Sequence, residues 1–392
     1  MLLFLVLISI SIDFFISKYI KIKFFSYYII FSYIFISLLS IYFILIYNFF
    51  KIYYNIKFFR NFLIPLIIIS YFYKLLYIII IFFLKFFFLL KKYKKILEFN
   101  FFLPKALIII NIAPIIIIFT GIISGAYDYE LKKIKINLKK LPKSFHGLKI
   151  GHLSDIHSGS LFNKIAIKGG IEILMNQCPD IIFFTGDLVN YQTNEIIEYI
   201  NIFKKINAPL GVYSVLGNHD YGDYIKWNSL YHKYKNFLNM IKIHKLLGWK
   251  LMINENKIIK KNKNKIAIIG VENWGVGKFP KYGNLKKAYH KINRDIDIKL
   301  LLSHDPSHWD DEIRPFFNDI DITFSGHTHG FQFGIELNKF KWSPAQYKYK
   351  QWSGLYKKKS QYIYVNKGFG YIGYPGRVGM LPELTIIELE KN

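Results

Sequence analysis

At 392 residues, 52% of them hydrophobic and 19% aromatic, the chain has room for two or three domains and more apolar side chains than one soluble core requires. Its formal net charge of +27 suits an anionic partner, but the lysines accompany an excess of Ile, Asn, Phe and Tyr, all encoded by A/T-rich codons. No stretch interleaves basic and aromatic residues as an RNA-binding sheet does, so nucleic acid is not expected as a partner, and Cys178, the single cysteine, excludes an intramolecular disulfide or a thiolate metal cluster.

Four apolar stretches fill the first third: about Leu2 to Ile16, Phe25 to Phe50, Phe62 to Leu84 and Ala106 to Ile123. A bilayer core takes on the order of 20 apolar residues per helix, and the last three reach that length. They lack the polar stripe of a water-exposed helix. The expectation is a transmembrane module of about four helices over residues 1–125, in a multi-pass integral membrane protein with the lipid bilayer as partner. Lysines are richest in the loop holding Lys85, Lys91, Lys92, Lys94, Lys95 and Lys105. Positive charge in short loops marks the cytoplasmic side, which puts the C-terminal domain on the exoplasmic or periplasmic face. A charged linker is expected over 126–144, then a catalytic domain over 145–390.

In that last domain short apolar runs stop at polar clusters. Leu148–Leu153 ends at Ser154-Asp155-Ile156-His157, and Ile181–Phe184 at Thr185-Gly186-Asp187. Val212–Leu216 ends at Gly217-Asn218-His219-Asp220, and Lys299–Leu302 at Ser303-His304-Asp305. Ile320–Phe324 ends at Ser325-Gly326-His327-Thr328-His329-Gly330. Helical patterns over Asn163–Met175, Asn194–Ile206 and Tyr234–Leu247 lie between them. Strands alternating with helices argue an α/β core, whose ligands sit beyond the carboxyl ends of the strands. All five clusters fall at such ends.

The clusters hold Asp155, His157, Asp187, Asn218, His219, His304, His327 and His329. Imidazole nitrogen with carboxylate or amide oxygen, and no sulfur, suits Mn, Fe, Zn or Co. So many candidates exceed the needs of one ion and fit two that share a bridging carboxylate. In Asp155-x-His157 and His327-x-His329, alternate residues of an extended segment point to one side. Gly186, Gly217, Gly326 and Gly330 let the backbone turn tightly beside the metals. A lone histidine is more often structural, and His146, His152, His232, His244, His290 and His308 are read so.

The ordered blocks D-x-H, G-D, G-N-H-[DE], a lone H and G-H-x-H resemble the calcineurin-like metallophosphoesterase superfamily. The tail Tyr364-Val365-Asn366-Lys367-Gly368-Phe369-Gly370, then Gly373-Tyr374-Pro375-Gly376-Arg377, is similar to the membrane-anchored bacterial branch that includes hydrolases of UDP-2,3-diacylglucosamine. Phe331 stands where that branch has glycine. The resemblance implies a mixed β-sandwich flanked by helices, with one metal held by Asp155, His157, Asp187 and His329 and a second by Asp187, Asn218, His304 and His327. His219 is then the candidate acid, its imidazole oriented by Asp220. The expected function is dinuclear hydrolysis of a phosphomonoester or diester, on a lipid-linked or nucleotide-sugar substrate. A nucleotide or nucleic-acid phosphodiesterase and a non-catalytic metal-binding scaffold are the alternatives.

Overall fold

In the computed structural model of the chain, residues 79, 113 and 116–391 are described, apart from 276, 278, 280, 293–294 and 338–339. The chain divides into two units, Met1–Thr120 with Gly373–Pro375, and Gly121–Ile372 with Gly376–Asn392. The first three apolar stretches lie outside the described residues but for position 79, as does half of the fourth, whose described residues, 113 and 116–123, are helical. Among the described residues no helix is long and apolar enough to cross a membrane. That finding corrects the expectation of a multi-pass integral membrane protein with an exoplasmic catalytic domain. Hydropathy of a sequence measures how apolar a segment is, whereas a span needs a continuous helix of sufficient length.

The second unit is built on two six-stranded sheets. The first runs β1 (Glu130–Asn137), β14 (Glu383–Glu390), β2 (Leu148–Leu153), β3 (Ile181–Phe184), β4 (Val212–Ser214) and β5 (Lys250–Leu251). The second runs β12 (Gly354–Lys358), β13 (Gln361–Val365), β9 (Ile322–Ser325), β8 (Ile298–Leu302), β7 (Asn264–Gly270) and β6 (Glu255–Lys261). The neighbours β2, β3 and β4 are parallel, as are β7, β8, β9 and β13. A small hairpin, β10 (Ile335–Leu337) with β11 (Phe340–Trp342), stands apart.

The apolar runs are unbroken because both faces of each central strand are covered. On β3, Ile181 and Phe183 point into the layer between the sheets, where they meet Ile268, Leu300 and Phe324. Ile182 and Phe184 point the other way, to Ile171, Leu174 and Leu247 of the flanking helices. On the second sheet Ala267, Ile269 and Leu301 pack under Leu285, Trp309 and Ile313. Full burial of a side chain such as Phe183 contributes about 2–3 kcal/mol. The result is a mixed α/β sandwich with helices outside both sheets.

Helix α1 (Lys164–Met175) starts at Asn163, whose side chain accepts from the Ala166 amide, and α2 (Leu230–Leu247) starts at Ser229 and stops at Gly248 in the left-handed region. The third expected helix is mostly a 3-10 turn, Thr193–Tyr199, running into a short α segment, Ile200–Phe203. Glu130–Asn137, expected as linker, is the edge strand β1, parallel to β14. Its lysines hid the alternation that brings Ile134 and Ile136 to the inner layer.

Candidate metal centre

Five loops leave the carboxyl ends of β2, β3, β4, β8 and β9, and backbone hydrogen bonds tie them together. The Asp155 amide donates to the Gly186 carbonyl (2.9 Å), the His157 amide to Asp187 O (3.0 Å) and the Gly326 amide to His304 O (3.0 Å). Asp155, His157, Asp187, His327 and His329 all have φ between 48° and 72°. Left-handed backbone is costly for side chains other than glycine, and such strain concentrates where surrounding structure enforces it for function. Gly326 is required by close approach: a Cβ there would lie 1.9 Å from Ser154 Oγ and 2.2 Å from Asp155 Oδ2.

The candidate ligands form two adjoining groups. Asp155, His157 and His329 bring ligand atoms within 4.8 Å of one another, as do Asp187, His304 and His327. His157 Nε2 is 3.1 Å from His329 Nε2, and His329 Nε2 is 3.2 Å from Asp155 Oδ1. In the second group His304 Nε2 lies 3.2 Å from His327 Nδ1, from Asn218 Oδ1 and from Asp187 Oδ2. Asp187 Oδ2 is also 3.5 Å from His157 Nε2, so this carboxylate stands between the groups. Every sequence-expected ligand is therefore at one place.

Hydrogen bonds on the far side of each ring set its tautomer. His304 Nδ1 donates to the Thr185 carbonyl at 2.7 Å, and His157 Nδ1 to Asn190 Oδ1 at 3.1 Å. Each is left with Nε2 as a lone pair facing inward. His327 turns the other way, with Nε2 on the Tyr349 hydroxyl at 2.9 Å and Nδ1 inward. Buried imidazole lone pairs converging with carboxylate oxygens satisfy one another only around a cation, and the donor set fits divalent transition metals. Imidazole and carboxylate charges also balance one another across the cluster. Burial raises the carboxyl of Asp155, but His329 and His304 outweigh it and hold it well below the usual range. Burial also raises Asp187, and His304, His219 and His157 reverse this. For His304 the order is opposite: burial lowers it, while Asp187 and Asp155 carry it up to about 10.

His219 is half-buried beside the groups, its ring 5.0 Å from that of His157 and its Nδ1 2.7 Å from the Asn190 carbonyl. Asp220 does not orient that ring, a correction to expectation. Its Oδ2 accepts from the Asp187 and Gly217 amides, both at 2.9 Å, and its Oδ1 from those of Leu188 (2.8 Å) and Val189 (3.3 Å). The carboxylate is a brace between two loops, because adjacent residues at a tight turn point apart.

The structural reading of other histidines fits what surrounds them: His152 meets Thr185 Oγ1, His244 meets Ser214 Oγ, and His308 lies between Ser303 and Glu312. Asn190, Tyr224 and Tyr349 were missed, since a single Asn or Tyr in a loop carries no spacing signal. Arg377 is buried and donates to the carbonyls of Lys367 (2.8 Å), Gly370 (2.6 Å) and Met380 (3.1 Å). The Gly370 amide in turn donates to Asp155 O at 2.8 Å, so this tail supports the first group from below.

Residues 148–331 match the family model described as calcineurin-like phosphoesterase, a span that contains all five blocks. The second unit carries a calcineurin-like metallophosphoesterase domain. It is the domain of a metal-dependent phosphoesterase hydrolase, and the two residue groups are potential metal-binding clusters of that divalent-metal-dependent family. The chain is 26% identical over 281 residues to a Danio rerio transmembrane protein with metallophosphoesterase domain, covering 69% of this chain and 60% of that protein. It is 27% identical to the uncharacterized metallophosphoesterase YkuE of Bacillus subtilis strain 168, covering 68% of this chain and 91% of that one. It is also 27% identical to the UDP-2,3-diacylglucosamine pyrophosphatase LpxG of Chlamydia trachomatis, covering 59% and 81%.

Proposed function

We propose that the chain hydrolyses a phosphoester at two divalent metal ions, one held by Asp155, His157, Asp187 and His329 and the other by Asp187, Asn218, His304 and His327, with Asp187 shared. The observation that carries this is the position of Asp187 Oδ2, 3.2 Å from His304 Nε2 and 3.5 Å from His157 Nε2. When bound, such ions lower the pKa of a water between them and offset charge on phosphoryl oxygens. His219 supplies the proton for the leaving oxygen from Nε2, its ring held through Nδ1 by the Asn190 carbonyl at 2.7 Å. Asp220 keeps the Asp187 and Asn218 loops in register.

The substrate is read as a pyrophosphate or diester linkage of a nucleotide-sugar or lipid-linked compound. Two things support this: the name of the Chlamydia relative, and the Lys348 ammonium 4.9 Å over the Tyr349 ring, a cation beside the second group for a further phosphate.

The test uses the full chain, stripped of metal and reloaded with Mn, Fe, Zn or Co, against p-nitrophenyl mono- and diesters, a nucleotide diester and a UDP-acylglucosamine. Metal-restored turnover that is lost in Asp187→Ala is the expected result. In His219→Ala, two bound metals with turnover reduced about 10²–10⁴-fold on the aryl diester is expected. A folded chain that binds no metal sinks the reading.

A further inference from the structure

Two tyrosines flank the second ligand group, and the mechanism above gives them nothing to do. Tyr224 accepts a hydrogen bond from Asn218 Nδ2 at 2.8 Å, and its ring lies 4.5 Å from that of His219. The Asn218 amide is thereby fixed, with Oδ1 toward His304 at 3.2 Å and both amide hydrogens turned away. Tyr349 meets His327 Nε2 at 2.9 Å. Since His327 Nδ1 is the nitrogen that faces the group, Nε2 carries the proton and the phenol oxygen accepts it.

Both hydroxyls are therefore in the same state. Each has its oxygen engaged by the outward side of a candidate ligand, and among the described residues neither has an acceptor for its own proton. A phenol so placed keeps its own proton for another acceptor. We propose that Tyr224 and Tyr349 are further catalytic residues, donating their O–H groups to the non-bridging oxygens of the phosphoryl group. Donors already oriented before reaction cost no reorganisation as charge develops. Their placement on Asn218 and His327 couples donor position to the ligand set, so the pair is in register only with a correctly formed centre.

The assignment rests on the hydrolase reading, and one set of experiments separates the two. Tyr224→Phe, Tyr349→Phe and the double variant keep the rings and remove only the hydroxyls. Measured are metal stoichiometry and affinity, binding of inorganic phosphate to the metal-loaded full chain, and kcat and KM on the aryl diester at saturating metal. Each single variant is expected to hold two metals, to bind phosphate about tenfold more weakly, and to lose about 10–10²-fold in kcat. Unchanged kcat with unchanged phosphate affinity overturns the proposal. So does a loss that vanishes as metal is raised, because the hydroxyls would then only steady Asn218 and His327. A wild-type chain with no turnover sinks the hydrolase reading instead, and phosphate affinity still decides whether the tyrosines are donors.

Discussion

Replacing Asp220 by Asn tests whether this residue is a brace or a partner of His219. The carboxylate accepts four backbone amides, two on each oxygen, from Asp187, Leu188, Val189 and Gly217. An amide keeps one oxygen and turns an NH₂ toward the other two donors. Two buried N–H groups are then left unsatisfied, at about 1–3 kcal/mol each, or about 2–6 kcal/mol in all. In urea this moves the unfolding midpoint down by about 1 M or more. Burial and the nearby Asp187 charge push the Asp220 carboxyl up to about 7, so the comparison belongs well above neutral pH, where the wild-type group is ionised. Because the amides of Asp187 and Gly217 lose their anchor, metal affinity is expected to fall together with stability. Denaturant unfolding by circular dichroism and metal titration by calorimetry read both. An unchanged midpoint and unchanged metal affinity, with kcat reduced, would refute the brace and restore Asp220 as the residue behind His219.

Two other consequences follow from the geometry. Gly326→Ala places a Cβ 1.9 Å from Ser154 Oγ and 2.2 Å from Asp155 Oδ2, which is expected to cost about 1–3 kcal/mol and to displace Asp155, and normal metal binding in this variant would contradict it. His244 is fully buried with Nδ1 on Ser214 Oγ at 2.9 Å, and burial pushes its pKa down to about 3. The folded chain keeps it neutral while the unfolded chain takes up a proton below about pH 6.5. The stability it contributes is therefore present above pH 6.5 and is lost as pH falls toward 3, by up to about 5 kcal/mol. His244→Gln is expected to remove about one proton from the pH slope of unfolding; an identical slope in the variant would count against this.

The five blocks were readable from the chain because a metal site demands particular atoms at strand ends, and those demands leave short, ordered residue strings. Asp155, His157, Asp187, Asn218, His304, His327 and His329 could be picked out as candidate ligands without coordinates. The α/β class was equally legible, since runs such as Ile181–Phe184 are continuous only when both faces are covered. Local composition was a poorer guide elsewhere. Lysines disguised β1 as linker, and apolar length in the first third was read as membrane spans, although no described helix reaches the length and apolarity to cross one.

Tertiary structure alone decided which groups work on which. Asp220 follows His219 in the chain, yet it bonds backbone from two loops, because neighbours at a turn diverge. Asn190 reaches His157, Tyr349 reaches His327, and Arg377 supports Asp155 through Gly370, across separations of 33, 22 and more than 200 residues. Which side chains are candidates for ligands is a matter of their chemistry and so can be read in the sequence. Tautomer, orientation and support are set by atoms that only the packing of two sheets brings within hydrogen-bonding distance.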